Sequence, residues 1–191
     1  MKRITALLLL PIVLLLVAFT LSKKREEPTI PFDVNHLLTW NDFKGKAPKR
    51  SAYSAKTNSG YTFSMELVED SFLITLPCFF YPKTSWVKKK DKNAELLQHE
   101  QGHFDLTELH CRKMRAAIQQ GNFKLKTISK DIQKIITREN KLLAKEQGRY
   151  DEETNHSIVA EKQKQWNKYL EKNLSNYQNA ASFSFKIGFK R

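Results

Sequence analysis

The sequence predicts an α+β domain: a small antiparallel sheet packed on a long helical hairpin that carries an HExxH motif, a third helix, and an N-terminal membrane segment. Three observations carry this reading. Residues 52–81 alternate apolar and polar side chains, residues 93–174 hold apolar positions at helical spacing in three runs, and residues 4–22 are uncharged and dense in Leu, Ile and Val. At 191 residues with 40% hydrophobic content, the chain suits one folded domain plus a short appendage.

The apolar run at residues 4–22 is flanked by Lys2-Arg3 and Lys23-Lys24-Arg25. It is longer than a signal-peptide core of roughly 7–15 residues and approaches the roughly 20 that span a bilayer, which favours an uncleaved signal anchor over a signal peptide. No Ala-x-Ala cleavage site is present and no Cys follows closely, so a lipoprotein anchor is disfavoured. The expected organisation is therefore a signal anchor or signal peptide at 1–22, a linker at 23–36, and a folded domain at 37–191. Its expected place is the cell envelope, membrane-anchored and facing outside the cytoplasm, or secreted. In such a compartment Cys78 and Cys111 could pair, and two buried free thiols are the alternative. A formal charge of +13 suits nucleic acid, anionic lipid or acidic envelope polymers alike. The membrane segment argues against nucleic acid and makes the membrane itself the expected partner at the N-terminus.

Within the domain, Trp40 and Phe43 read as core anchors ahead of a loop at 44–48. Alternation at Tyr61, Phe63, Met65 and Leu67, and again at Phe72, Ile74 and Leu76, predicts two strands joined by a hairpin at Glu69-Asp70-Ser71. Pro77 and Pro82 indicate an edge position or a strand end, since Pro has no N–H for a ladder. A first helix is expected from about Asn93 to Gln120, stopped by Gly121-Asn122, and a second from about Lys126 to Gln147, ended by Gly148. A polar loop at 150–156 then leads into a third helix at 158–174. The tail alternates Phe183, Phe185, Ile187 and Phe189, a late strand returning to the sheet.

Inside the first helix lies His99-Glu100-Gln101-Gly102-His103. Two His at i and i+4 share one helix face and can hold one Zn²⁺, and the Glu between them can reach a water on that metal. His99 and His103 are thus the expected metal ligands and Glu100 the general base of a zinc hydrolase, most simply a metallopeptidase acting on peptide or protein substrates. Catalytic zinc takes a third protein ligand. Leu106 has no ligating atom, Asp105 points away from His103, and His110 lies too far along the axis. A hairpin turning at Gly121 and Asn122 would set His103 opposite Asn140 and His99 opposite Ala144, so that Glu139 or Glu146 could reach the metal. The same hairpin returns the loop at 150–156 beside the motif, making His156 the preferred third ligand and Tyr150 a donor to the developing oxyanion.

Three stretches stand together: Leu38-Thr39-Trp40-Asn41-Asp42-Phe43-Lys44-Gly45, the motif continued by Phe104, Asp105, Glu108 and Arg112, and Tyr150-Asp151-Glu152-Glu153-Thr154-Asn155-His156. They resemble the bacterial domain-of-unknown-function 922 family, described as secreted zinc-dependent proteases. The likeness spans about residues 37–166. It implies that the tryptophan patch, motif helix and Tyr-Asp-x-x-Thr-x-His loop act together, in agreement with His156 as a ligand. Ser157 stands where the family pattern leads one to expect Gly. The rival reading is a non-catalytic envelope module that binds acidic polymers through its basic helices, without stoichiometric metal.

Overall fold

The computed structural model describes residues 28–190. The expected membrane segment at 4–22 lies outside the described residues, and among those described no helix is long and apolar enough to cross a membrane.

The fold is α+β, with three helices and small antiparallel sheets. Short strands β1 (Ile30–Pro31), β6 (Cys78–Phe80) and β3 (Ser59–Tyr61) form one sheet in the order β1-β6-β3, and β2 (Ala55–Lys56) pairs with β7 (Trp86–Val87). A third sheet, in the order β4-β5-β8, joins β4 (Ser64–Val68), β5 (Ser71–Thr75) and β8 (Ser184–Ile187). Val68 pairs with Ser71 across Glu69 and Asp70, so the hairpin falls where the alternation put it, with Glu69 at φ 58°. The tail returns to this sheet, Ile187 facing Phe72.

Three details differ from expectation. The alternation from Tyr61 to Leu67 is not one strand: Tyr61 ends β3 and Ser64 begins β4, in different sheets. The cause lies opposite, where Pro77 separates β5 from β6 and forces the facing chain to change sheet as well. Pro77 and Pro82 lie at strand ends, one of the two placements expected of them, while the strand they bound, β6, is central and not an edge. Finally, Ile30–Pro31, within the expected linker, pairs with Phe80 and Phe79, so folded structure begins ahead of Leu37.

Helix α1 (Ala94–Gln119) starts at Asn93, whose side chain accepts from Leu96 N at 2.7 Å, and it is buried on two faces. Phe104, Cys111, Met114 and Ile118 face the sheets, while Leu106 and Leu109 meet Tyr150, Trp166 and Leu170 from α2 (Ile128–Thr154) and α3 (Ala160–Asn176). Glu108, also buried, is neutralised by Arg112 at 2.8 Å and Arg115 at 2.6 Å. Those guanidiniums donate onward to the carbonyls of Leu174 and Ala180, which docks the end of α3 on α1. Cys78 and Cys111 are free thiols facing one another across β6 and α1, and burial pushes the Cys78 thiol up.

Helix α2 does not end at Gly148. It runs on through Tyr150 to Thr154, both fully buried, because these residues continue the inward-facing row begun by Leu143 and Gln147. A glycine on the exposed side costs about 1 kcal/mol in a helix, less than the burial of a tyrosine returns. The connection from α1 also differs from the expected turn at Gly121-Asn122. It spans residues 120–127, with Phe123 buried and Lys124 bridged to Lys190.

Candidate metal centre on the motif helix

The longer connection slides α2 along α1 by about two helical turns relative to the expected register. His103 meets Gln147, not Asn140, and His99 meets Asp151, not Ala144. Glu139 and Glu146, the reserve ligands in the sequence reading, are carried away from the motif and clamp His110, with Glu139 Oε2 3.1 Å from Nδ1 and Glu146 Oε2 2.8 Å from Nε2.

At the motif three acceptor atoms converge. His99 Nε2 and His103 Nε2 are 3.1 Å apart, and Asp151 Oδ1 lies 3.1 Å from the first and 3.0 Å from the second. The ring orientations are fixed from behind. Gln147 spends its amide N–H on the His103 carbonyl at 2.9 Å, so its Oε1 is left to accept from His103 Nδ1. Gln163 on α3 likewise donates to the Tyr150 hydroxyl at 2.7 Å and to Asn167 Oδ1 at 2.8 Å, and its Oε1 accepts from His99 Nδ1 at 3.1 Å. With both Nδ1 atoms donating, both Nε2 lone pairs point inward at a carboxylate oxygen. Ligand atoms held 2.0–2.1 Å from a tetrahedral ion lie roughly 3.3 Å from one another, close to the spacing found here.

The titration of the cluster follows the same field. Burial works against a charge on His103, but its hydrogen bond to Asp151 and the charges of Glu100 and Asp151 raise its pKa. Burial likewise opposes ionisation of Asp151, yet its bonds to His103 and His99 hold the carboxyl well below the usual range. Asp151 is thus held ionised, and its carboxylate favours a cation beside it, either a proton on His103 or a metal ion.

Glu100 is buried, and its Oε2 has no hydrogen-bond partner among the described residues. It lines a cleft of about 1440 Å³ together with His99, His103, Asp151, His156 and residues 52–59 of the opposite wall. That wall is tied to the motif by Thr57, whose hydroxyl donates to the Glu100 carbonyl at 3.1 Å.

His156 follows the αL cap Asn155, and residues 155, 156 and 157 all have positive φ, at 45°, 52° and 79°. The last is Ser157, in the conformation that favours the glycine absent there. This turn brings His156 to the cluster, its Nδ1 3.3 Å from Asp151 Oδ1 and its ring 6.4 Å from that of His99. Ligand atoms of His99, Asp151 and His156 all lie within 4.8 Å of one another. Asp151, however, and not His156, touches both motif imidazoles.

Tyr150 does not face the cleft as an oxyanion donor would. It is fully buried, stacked on His99 with ring centres 4.6 Å apart, and its hydroxyl donates to the His99 carbonyl at 3.1 Å. Burial raises its pKa far above the ordinary tyrosine value, although the Gln163 bond works against this. Its position also accounts for Gly102, where any Cβ would collide with the Tyr150 hydroxyl.

An α+β domain whose motif helix sets two imidazoles against a carboxylate on a cleft wall is the class of protein these features define. The model of the family described as "Bacterial protein of unknown function (DUF922)" matches residues 82–157, and the matched segment contains His99, Glu100, His103, Asp151 and His156. Comparison with curated proteins and with solved structures gave no match.

Proposed function

We propose that the protein is a metal-dependent hydrolase, most simply a zinc metallopeptidase, working in the cell envelope or outside the cell behind its apolar N-terminal segment. The observation that carries the reading is the convergence of three acceptors, His99 Nε2, His103 Nε2 and Asp151 Oδ1, within 3.1 Å of one another while glutamines hold both rings in the matching tautomer. Without a metal ion or a proton on an imidazole, three lone pairs would face each other at a cost. The donor set of two imidazoles and one carboxylate suits Zn²⁺, and one side stays open to the cleft for water. His156, whose ligand atom lies within 4.8 Å of those of His99 and Asp151, is the further ligand that the sequence reading expects.

A bound zinc ion would supply a water acidified to a pKa of about 7 and would polarise a carbonyl. The protein residues do the rest. Glu100, with one carboxylate oxygen unpartnered, takes the proton of the attacking water and returns it to the leaving amine. Gln147 and Gln163 keep the imidazoles aimed. Residues 53–59 run along the cleft beside the motif and offer an extended peptide a wall on which to lie as an added strand.

Replacing Glu100 by Gln keeps the metal and lowers the hydrolytic rate by about 10² to 10⁴. Metal analysis and peptide hydrolysis on the same preparation read this directly. A zinc-loaded Glu100→Gln chain that cuts peptides as fast as wild type contradicts the mechanism.

A further inference from the structure

Hydrolysis of an amide places a negative charge on the former carbonyl oxygen, and a donor is needed where that charge develops. The hydroxyl of Tyr150 is spent on the His99 carbonyl and that of Thr57 on the Glu100 carbonyl. Tyr53 differs from both. It lines the same cleft from the wall opposite α2, is 57% exposed, and its hydroxyl has no hydrogen-bond partner among the described residues. Its ring meets the His156 ring edge to face at 5.2 Å, and His156 in turn reaches Asp151 at 3.3 Å. Tyr53 and His156 therefore meet across the mouth of the cleft, one contact out from the proposed metal ligand. A bond from Tyr53 N to Ser51 Oγ at 3.1 Å fixes the backbone that carries the ring.

We infer that Tyr53 is the catalytic oxyanion donor of this site, its hydroxyl hydrogen-bonding the tetrahedral oxygen of a peptide substrate, and that His156 positions its ring. The inference rests on the hydrolase reading. It also places a catalytic residue outside the segment matched by the family, which begins at residue 82.

The test compares zinc-loaded full-length wild type and Tyr53→Phe, a change that removes one oxygen and keeps the ring against His156. Three readouts are needed: zinc content, kcat and KM on a fluorogenic peptide library, and inhibition by a phosphinic peptide whose tetrahedral oxygens stand for the oxyanion. The expected result is unchanged zinc, KM within about twofold, kcat lower by roughly 10² to 10³, and phosphinic inhibition weakened by a similar factor. Wild-type kcat in Tyr53→Phe, or a fall explained by lost zinc, overturns the role of Tyr53 and leaves the hydrolase reading standing. A wild-type chain that binds zinc and cuts no peptide overturns both.

Discussion

Two clusters of imidazole and carboxylate lie between α1 and α2, about two helical turns apart, and they are assembled in opposite ways. At His110 each ring nitrogen has its own carboxylate, Glu139 on one side and Glu146 on the other, and Lys113, Arg138 and Arg149 close the outside. Each of these charges has a partner, and His110 and Glu139 at the centre are buried. At His99 and His103 the outer nitrogens go to glutamine oxygens, the inner nitrogens share a single carboxylate oxygen, and the neighbouring Glu100 keeps an oxygen unpartnered beside the cleft. The same residue types thus give a closed ionic clamp in one place and three converging acceptors on a cleft wall in the other. What separates them is which nitrogen the second layer engages.

Mutations can widen that contrast. Glu139→Ala strips His110 of one partner inside the protein and should cost about 3 kcal/mol of stability in urea unfolding while leaving metal content unchanged. A loss of metal in this variant would mean that the two clusters are not separate. Gln147→Leu acts on the other cluster: it frees the His103 ring to turn and should weaken zinc binding 10- to 100-fold with little loss of fold, as read by competition with a chelating dye. Unchanged affinity would show that the tautomer needs no support. The smallest effect is expected at the turn bearing His156. Ser157→Gly should stabilise the chain by about 1 kcal/mol by relieving a left-handed serine, and a thermal midpoint that falls would contradict the strain argued there.

Much of the scaffold is legible in the residues. Asn93 and the spacing from Leu96 to Ile118 mark α1, and the alternations on either side of Glu69-Asp70 mark the hairpin of β4 and β5. The two motif His and Glu100 announce themselves by the chemistry of their spacing. Asp151 does not, because Gly148 reads as a helix stop, which turns residues 150–156 into a loop. Had the helix been continued on the strength of Leu143, Tyr150 and Thr154, Gln147 and Asp151 would have stood one turn apart on a single face, aimed at the motif. The register error that favoured Glu139 and Glu146 has a similar origin. A glycine and an asparagine suggested a tight turn, whereas the buried Phe123 and the bridge from Lys124 to Lys190 lengthen the connection. Gln163 had no local signal, since its role depends on how α3 crosses α1.

The central claim is that His99, His103 and Asp151 form one metal site, and equilibrium dialysis of the full-length chain against Zn²⁺ with elemental analysis tests it most directly. The account predicts one zinc per wild-type chain and none retained by Asp151→Ala or His99→Ala, while His110→Leu, in the closed cluster, still carries one. A wild-type chain that emerges without zinc, or an Asp151→Ala chain that keeps it with wild-type affinity, would contradict the account.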